Sequence, residues 1–502
     1  MLKRRLKLLG KILLALVVLL VVFLLFERFR GQISLALYER ELIRKGEKLS
    51  VSEIIPQLAS DVENGSPEIW RLISAIPEGK VLVRHLPPIA KSIAPGRALV
   101  GFREPNWTDT FIETNPFSLM TITCRWEEVE SELNGCRQTL VQVFSTLKRS
   151  AFDNKLDYSR GADMRVPHWQ QVSRISGVLG ASVQLSLRAN RHSEACDTLV
   201  MMLDLPRLLE RDGVAEFKRR DIASRCHGLT WEGLQAGIWS EEELVRIQEA
   251  WERLSFMTNL VFGFRVDRVS HDNDWDRYWR PNEFAVYGRS PNKFEELCNR
   301  VVHRVWSFSW SHQDQKRYWQ GIQRVIELSE LGVETKSYLA VSSPLEEFDF
   351  EFARLEKDKE GEIKKRFSPY DALRFPPSDY IVSCCIPEIQ RTMRTETERS
   401  IAVTAIALRR CELRNGKMPQ DLNALIPDFV SVVPTDFMDG TPIKYRLKGN
   451  GDYLLYSVAT DGQDDEGNPL WTYGANASSR QDWVWPTPAP PEEVEAARKK
   501  AH

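Results

Sequence analysis

Hydrophobic and polar positions divide the chain into stretches with different periods. Residues 12–26 form a run of fifteen without a polar side chain. As a helix this run spans ~22 Å, and residues 8–11 with a snorkelling Lys11 extend it to ~28 Å, close to a hydrocarbon core of ~30 Å. The run is apolar on every face, which argues against a soluble amphipathic helix. Lys3, Arg4, Arg5 and Lys7 precede it. A basic flank of this kind predicts a cytoplasmic N-terminus and a body on the other side of an inner membrane. Glu27, Arg28, Phe29 and Arg30 follow where a cleavable signal needs small residues, and Ser34 and Ala36 lie too far on. The reading is an uncleaved single-span anchor, with the lipid bilayer as partner through residues 8–26.

Beyond the span the pattern predicts a helix over 29–45 closed by Gly46. Residues 77–125, rich in proline and apolar pairs, show no decisive period. Residues 126–260 read as consecutive helices. Val172, Ile175, Leu179, Val183 and Leu187 recur at helical spacing, and a turn at 190–193 leads to a second helix through Cys196, Leu199 and Leu203, giving an αα-hairpin. Ser240 with Glu243 forms a capping box, with Trp239 and Leu244 placed as a hydrophobic staple. Helical pattern returns over 294–308 and 315–331. Residues 345–370 alternate Glu and Lys and read as an exposed linker or hairpin. A long helix is predicted over 388–414, ending at Asn415-Gly416. Strands over 443–447 and 453–458 follow, and 486–502 reads as a mobile tail. The expected units are therefore 1–28, a flank and transmembrane anchor; 29–125, a mixed membrane-proximal segment; 126–385, a helical body; 386–485, a small α+β domain; and the tail. The fold class is mainly α.

Composition narrows the picture. The 42% apolar and 27% charged residues are those of a folded protein. Fifteen tryptophans predict aromatic anchors between helices. The net charge is −2 although the first eleven residues hold five basic side chains, so the body is acidic. Such a surface has no general attraction for nucleic acid. The eight cysteines form no CxxC or zinc spacing. Cys124 and Cys136 could pair outside the cytoplasm, and Cys384-Cys385 reads as two thiols.

Three places carry candidate chemistry. Asp272, Asp274, Asp276 and Glu283 match oxygen-ligand positions of an EF-hand loop, but Arg277 stands where that loop needs glycine and Trp279 is bulky. His271, His303 and His312 could join a carboxylate on zinc, though scattered histidines are usually structural. That pair of motifs frames one functional alternative, a metal-dependent hydrolase with its site in the 271–312 region. The third place is the acidic loop 461–467, where Asp461, Asp464 and Asp465 directly follow a strand. Oxygen ligands at this density suit a hard cation such as calcium, and the plain alternative is a solvated turn. GxSxG, HExxH, Walker and GxGxxG motifs are absent from the sequence.

The order of motifs over 399–485 resembles the periplasmic domain of the major pseudopilins of type II secretion. A helix ends in an Asn-Gly turn, and Pro419 opens a short helix to Ile426-Pro427. Asp436, Asp439 and Gly440 sit between Pro434 and Pro442. Two strands lead to Ser457 and Asp461-Gly462, and a late Asp482-x-x-Trp485 follows. The resemblance implies a helix packed on an antiparallel sheet, and calcium in the last loop. A pseudopilin helix, however, begins at a processed apolar N-terminus, whereas here the span lies far upstream. The module is expected to be reused as a terminal domain. The chain as a whole resembles single-span, membrane-anchored bacterial envelope proteins sharing a stretch like Tyr38 to Glu47. That resemblance implies no particular activity. Together these readings predict a membrane-anchored periplasmic binding or scaffold protein, linked to secretion or envelope machinery through an unidentified protein partner, and no catalytic activity.

Overall fold

The structure is a computed structural model. It describes residues 2–501 except 56, 59–61, 115–116, 150, 271–274, 276–292, 353–354, 358–362, 366–367, 450 and 470–480. The fold is mainly α, as the periodicity predicts.

Helix α1 (Leu2–Arg44) runs 43 residues without a break. Its apolar run is exposed apart from the half-buried Leu24 and is long and apolar enough to cross a membrane. From Leu24 onward the helix becomes two-faced. Leu24, Leu35, Tyr38 and the fully buried Leu42 enter a core, while Phe29, Ile33 and Leu37 stay exposed. Gly31 permits a close helix crossing, since a Cβ there would lie 3.0 Å from the Gln313 side chain. The helix closes at Gly46, whose φ of +85° suits glycine.

Two hydrophobic cores follow. The first is built by α2 (Ser66–Ser74), α3 (Lys80–Arg84), α4 (Trp126–Arg149), α5 (His168–Arg188), α6 (His192–Asp204), α7 (Glu216–Ala236) and α8 (Glu241–Glu252). The predicted hairpin is α5–α6. The capping box at Ser240 forms: its hydroxyl accepts the Glu243 N–H, and the Glu243 carboxylate accepts the Ser240 N–H at 2.9 Å. Trp239 lies over Gly233, where a Cβ would sit 1.9 Å from the ring.

The second core is built by α9 (Met257–Ser270), α10 (Lys293–Ser309), α11 (Ser311–Thr335), α12 (Tyr338–Phe352), the upper half of α1, and the first half of α13 (Pro376–Asn415). Helix α13 begins twelve residues before the expected start at 388. Pro376 and Pro377 fit its first turn, and the buried Asp314 carboxylate accepts the Ser378 N–H there. Its second half, Ile401 to Cys411, lines the first core. One helix therefore contributes to both cores, running through residue 386.

Residues 77–125, unreadable by period, contain α3, two short strands, β1 (Ser92–Ala94) and β2 (Arg97–Ala98), and two nine-residue strands, β3 (Asn106–Thr114) and β4 (Phe117–Arg125), which pair antiparallel. Glu232 of α7 holds the segment. Fully buried, its carboxylate accepts N–H groups from Ala90 at 2.9 Å and Gly101 at 2.8 Å, and the Gln184 amide at 2.9 Å. Burial raises its pKa against these donors.

After α13 come β5 (Lys444–Leu447), β6 (Tyr453–Ser457) and β7 (Trp483–Val484), a three-stranded antiparallel sheet with β6 central. Ile443, Tyr445 and Leu455 face the first core. The expected tail is ordered instead. Strand β8 (Thr487–Pro488) pairs in parallel with β2, and α14 (Pro491–Ala501) forms ion pairs from Arg498 to Glu104 and from Glu493 to Arg97. Residues 345–352 belong to α12, and in the charged stretch beyond it Leu355–Lys357 pairs antiparallel with Ile363–Lys365.

Candidate functional site

The acidic loop lies against the outer face of β6. Gly467, at φ +75°, makes the closest approach: a Cβ there would stand 2.4 Å from Leu454 and 3.1 Å from Tyr456. The three carboxylates singled out in the sequence do different things. Asp461 closes its own turn, accepting the Gln463 N–H at 3.2 Å. Asp464 accepts the Glu466 N–H and the Tyr456 hydroxyl, both at 2.9 Å. Asp465 stands exposed. The central acid of the loop is instead Asp482, from the start of β7. It is 4% exposed; one oxygen accepts the Gly467 N–H at 2.7 Å and the other has no hydrogen-bond partner. Burial, with Asp464 and Asp465 nearby, pushes its carboxyl up to about 6. The late Asp-x-x-Trp motif was the sequence signal for it. Among the described residues, no three His, Cys, Asp or Glu side chains are grouped so as to hold a metal ion.

Half of the candidate metal region at 271–312 lies outside the described residues, including Asp272, Asp274, Asp276, Glu283 and His271. Trp275 is described, buried and stacked on Tyr318 at 4.8 Å. His303 of α10 sits 6.0 Å from the Trp306 ring, and the His312 Cβ lies against Gly31. The eight cysteines are all free, so Cys124 and Cys136 remain two buried thiols despite their spacing.

A second constellation, not anticipated from sequence, sits where the apolar run of α1 ends. Glu27 is 2% exposed, and one of its oxygens receives Arg30 at 2.8 Å, Tyr370 at 2.6 Å and Gln313 at 3.0 Å. Arg28 donates to the Phe308 carbonyl at 3.0 Å and lies over that ring. The Tyr370 ring is 6.4 Å from Phe23, inside the apolar run. The body thus grips the final turn of the run from α10, α11 and the segment before α13. Helix α10 adds an exposed apolar face, Phe294, Leu297, Val301 and Phe308, at helical spacing. The run Glu27-Arg28-Phe29-Arg30 was the available signal: a carboxylate directly beyond an apolar span needs a donor partner if buried.

No protein-family profile, curated protein or solved structure matches this chain.

Proposed function

We propose that this protein is a single-span membrane-anchored scaffold. Its N-terminus is cytoplasmic, its helical body lies on the far side of the inner membrane, and its C-terminal α+β unit docks a protein partner. The observation that carries the reading is α1: one unbroken helix is apolar and largely exposed through residue 26, then becomes a wall of the second core. A body fastened to its span by Glu27, Arg28 and Leu42 is held at a fixed height over the bilayer. The docking role, and a partner in secretion or envelope machinery, rest on the pseudopilin-like order of elements in 399–485. The test is a full-length chain carrying a C-terminal reporter that is active only outside the cytoplasm. Activity on an intact membrane-bound product supports the reading. A shortened, soluble product, or a reporter active only in the cytoplasm, overturns it.

Calcium at the acidic loop belongs to the same proposal. Asp482 would hold the ion together with backbone and water oxygens, and the ion would supply the positive charge that Asp482, with Asp464 and Asp465 nearby, lacks. The orphaned, buried oxygen of Asp482 is the observation in its favour. A folded-state pKa of about 6 exceeds the unfolded value of ~3.9, so this group's stabilising contribution is full below ~pH 4 and is lost as pH rises through about 6. In chelator at neutral pH, Asp482→Asn should therefore stabilise the fold, by on the order of 2 kcal/mol. Calcium should raise the melting temperature of the wild-type chain and leave that of Asp482→Asn unchanged. An equal calcium response in both chains refutes the site.

A further inference from the structure

Directly beyond the end of the apolar run, α1, α11 and the segment before α13 border an open cavity of about 540 Å³. Its walls carry Arg30, Lys316, Arg317 and Arg374 against a single lining carboxylate, Asp371. Three of the cations are neutralised locally. Arg30 pairs with Glu27 at 2.8 Å, Arg317 with Asp379 at 3.0 Å and Arg374 with Asp371 at 3.2 Å. Two donors are left over. The Lys316 ammonium makes no ion pair or hydrogen bond among the described residues, and the Arg374 Nε is buried without an acceptor. A buried N–H without an acceptor is unfavourable, so an anionic oxygen placed there would be stabilised.

Height above the membrane selects the anion. Arg30 lies four residues past Phe26, a rise of ~6 Å along the helix. A bilayer of ~40–45 Å with a ~30 Å hydrocarbon core leaves ~5–8 Å on each side for headgroups. The cavity mouth at Arg30 therefore falls at the level of lipid phosphates. Guanidinium forks match phosphate oxygens, and an ammonium adds a point charge. The volume lies within the ~300–1,000 Å³ of ordinary small-ligand sites.

From this juxtaposition we infer that the cavity binds the phosphate headgroup of an anionic phospholipid from the leaflet facing the body. The inference rests on the membrane-anchored reading of α1. The bound headgroup accepts from Lys316 and Arg374 and ties α11 to the bilayer beside the span. A free phosphate offers the same oxygens but not the acyl chains that would lie along the exposed apolar run.

The test uses the full-length chain in detergent micelles, with retained lipids counted by native mass spectrometry after addition of phosphatidylglycerol or phosphatidylcholine. Wild type should retain phosphatidylglycerol preferentially. Lys316→Gln, which breaks no ion pair or hydrogen bond among the described residues, should weaken that retention about fivefold, the effect of one juxtamembrane cation. Lys448→Gln, at an exposed turn of the C-terminal sheet, should leave it unchanged. Equal losses from both variants, or no loss from Lys316→Gln, overturn the site. Equal stabilisation by inorganic phosphate in phosphatidylcholine micelles overturns the lipid assignment. Resistance of the chain to alkaline extraction from membranes is scored separately, so that failure of the anchor and failure of the headgroup site give different results.

Discussion

Replacing Asp436 with alanine should detach the C-terminal sheet from α13. Asp436 is fully buried, and its carboxylate takes four donors: the Thr397 hydroxyl at 3.2 Å, the Met438 N–H at 3.0 Å, the Ser457 hydroxyl at 2.9 Å and the Val458 N–H at 3.1 Å. Thr397 in turn accepts the Phe437 N–H at 3.0 Å, so one side chain of the long helix closes the network. Alanine leaves these donors unpaired in a dry interior. The expected loss is ~3–5 kcal/mol, since partners of a buried charged group are stranded together. Hydrogen exchange at the β5 and β6 amides should accelerate at least about a hundredfold. Asp436→Asn keeps the volume and one acceptor oxygen and should lose roughly half as much. Unchanged exchange in the alanine variant would mean that the sheet is held by apolar contacts alone.

A chain beginning at residue 46 should not behave as a soluble copy of the body. Removing α1 takes Leu35, Tyr38 and Leu42 from the second core and strands Gln313 and Tyr370 beneath the missing Glu27. Truncating one buried leucine typically costs ~2–5 kcal/mol, so removing a whole helix face should exceed the stability of that core. The expected result is rapid proteolysis within α9–α12 while the first core stays resistant. Exchanging residues 12–22 for another apolar sequence of equal length should leave the body as resistant as wild type. Equal resistance of the truncated chain would show that the second core closes without α1.

The sequence was most legible where a local rule decides the backbone. The capping box at Ser240, the glycine stops at Gly46 and Gly416, the α5–α6 hairpin and strands β5 and β6 all follow from neighbours within a few residues. Legibility failed where the deciding partner is distant. Residues 88–103 take their shape from Glu232, over 130 residues away. Strand β8 looked like a loose tail because its partner β2 lies near the other end of the chain. The early start of α13 was hidden by Pro387 within the helix and because the acceptor of its N-terminal Ser378 N–H, the Asp314 carboxylate, lies on another element. At the acidic loop, counting carboxylates in the tightest cluster favoured Asp461, which closes its own turn. Burial, which periodicity does not report at an isolated residue, falls on Asp482.

The placement of α1 also orders the events of synthesis. Its upper half leaves the ribosome long before its partners, since Leu42 shares its core with Met438, nearly four hundred residues later. Until α9–α13 have been made, the face carrying Leu35, Tyr38 and Leu42 has no intramolecular cover. Contacts of such sequence separation close late, because the entropy of the intervening loop must be overcome first. The first core also waits for its last pieces, Ile401 to Trp485. Neither half of this protein can therefore mature while the chain is still growing. The nascent body needs a period of protection, and variants that delay closure of α13 should be lost to proteolysis before they are lost to instability.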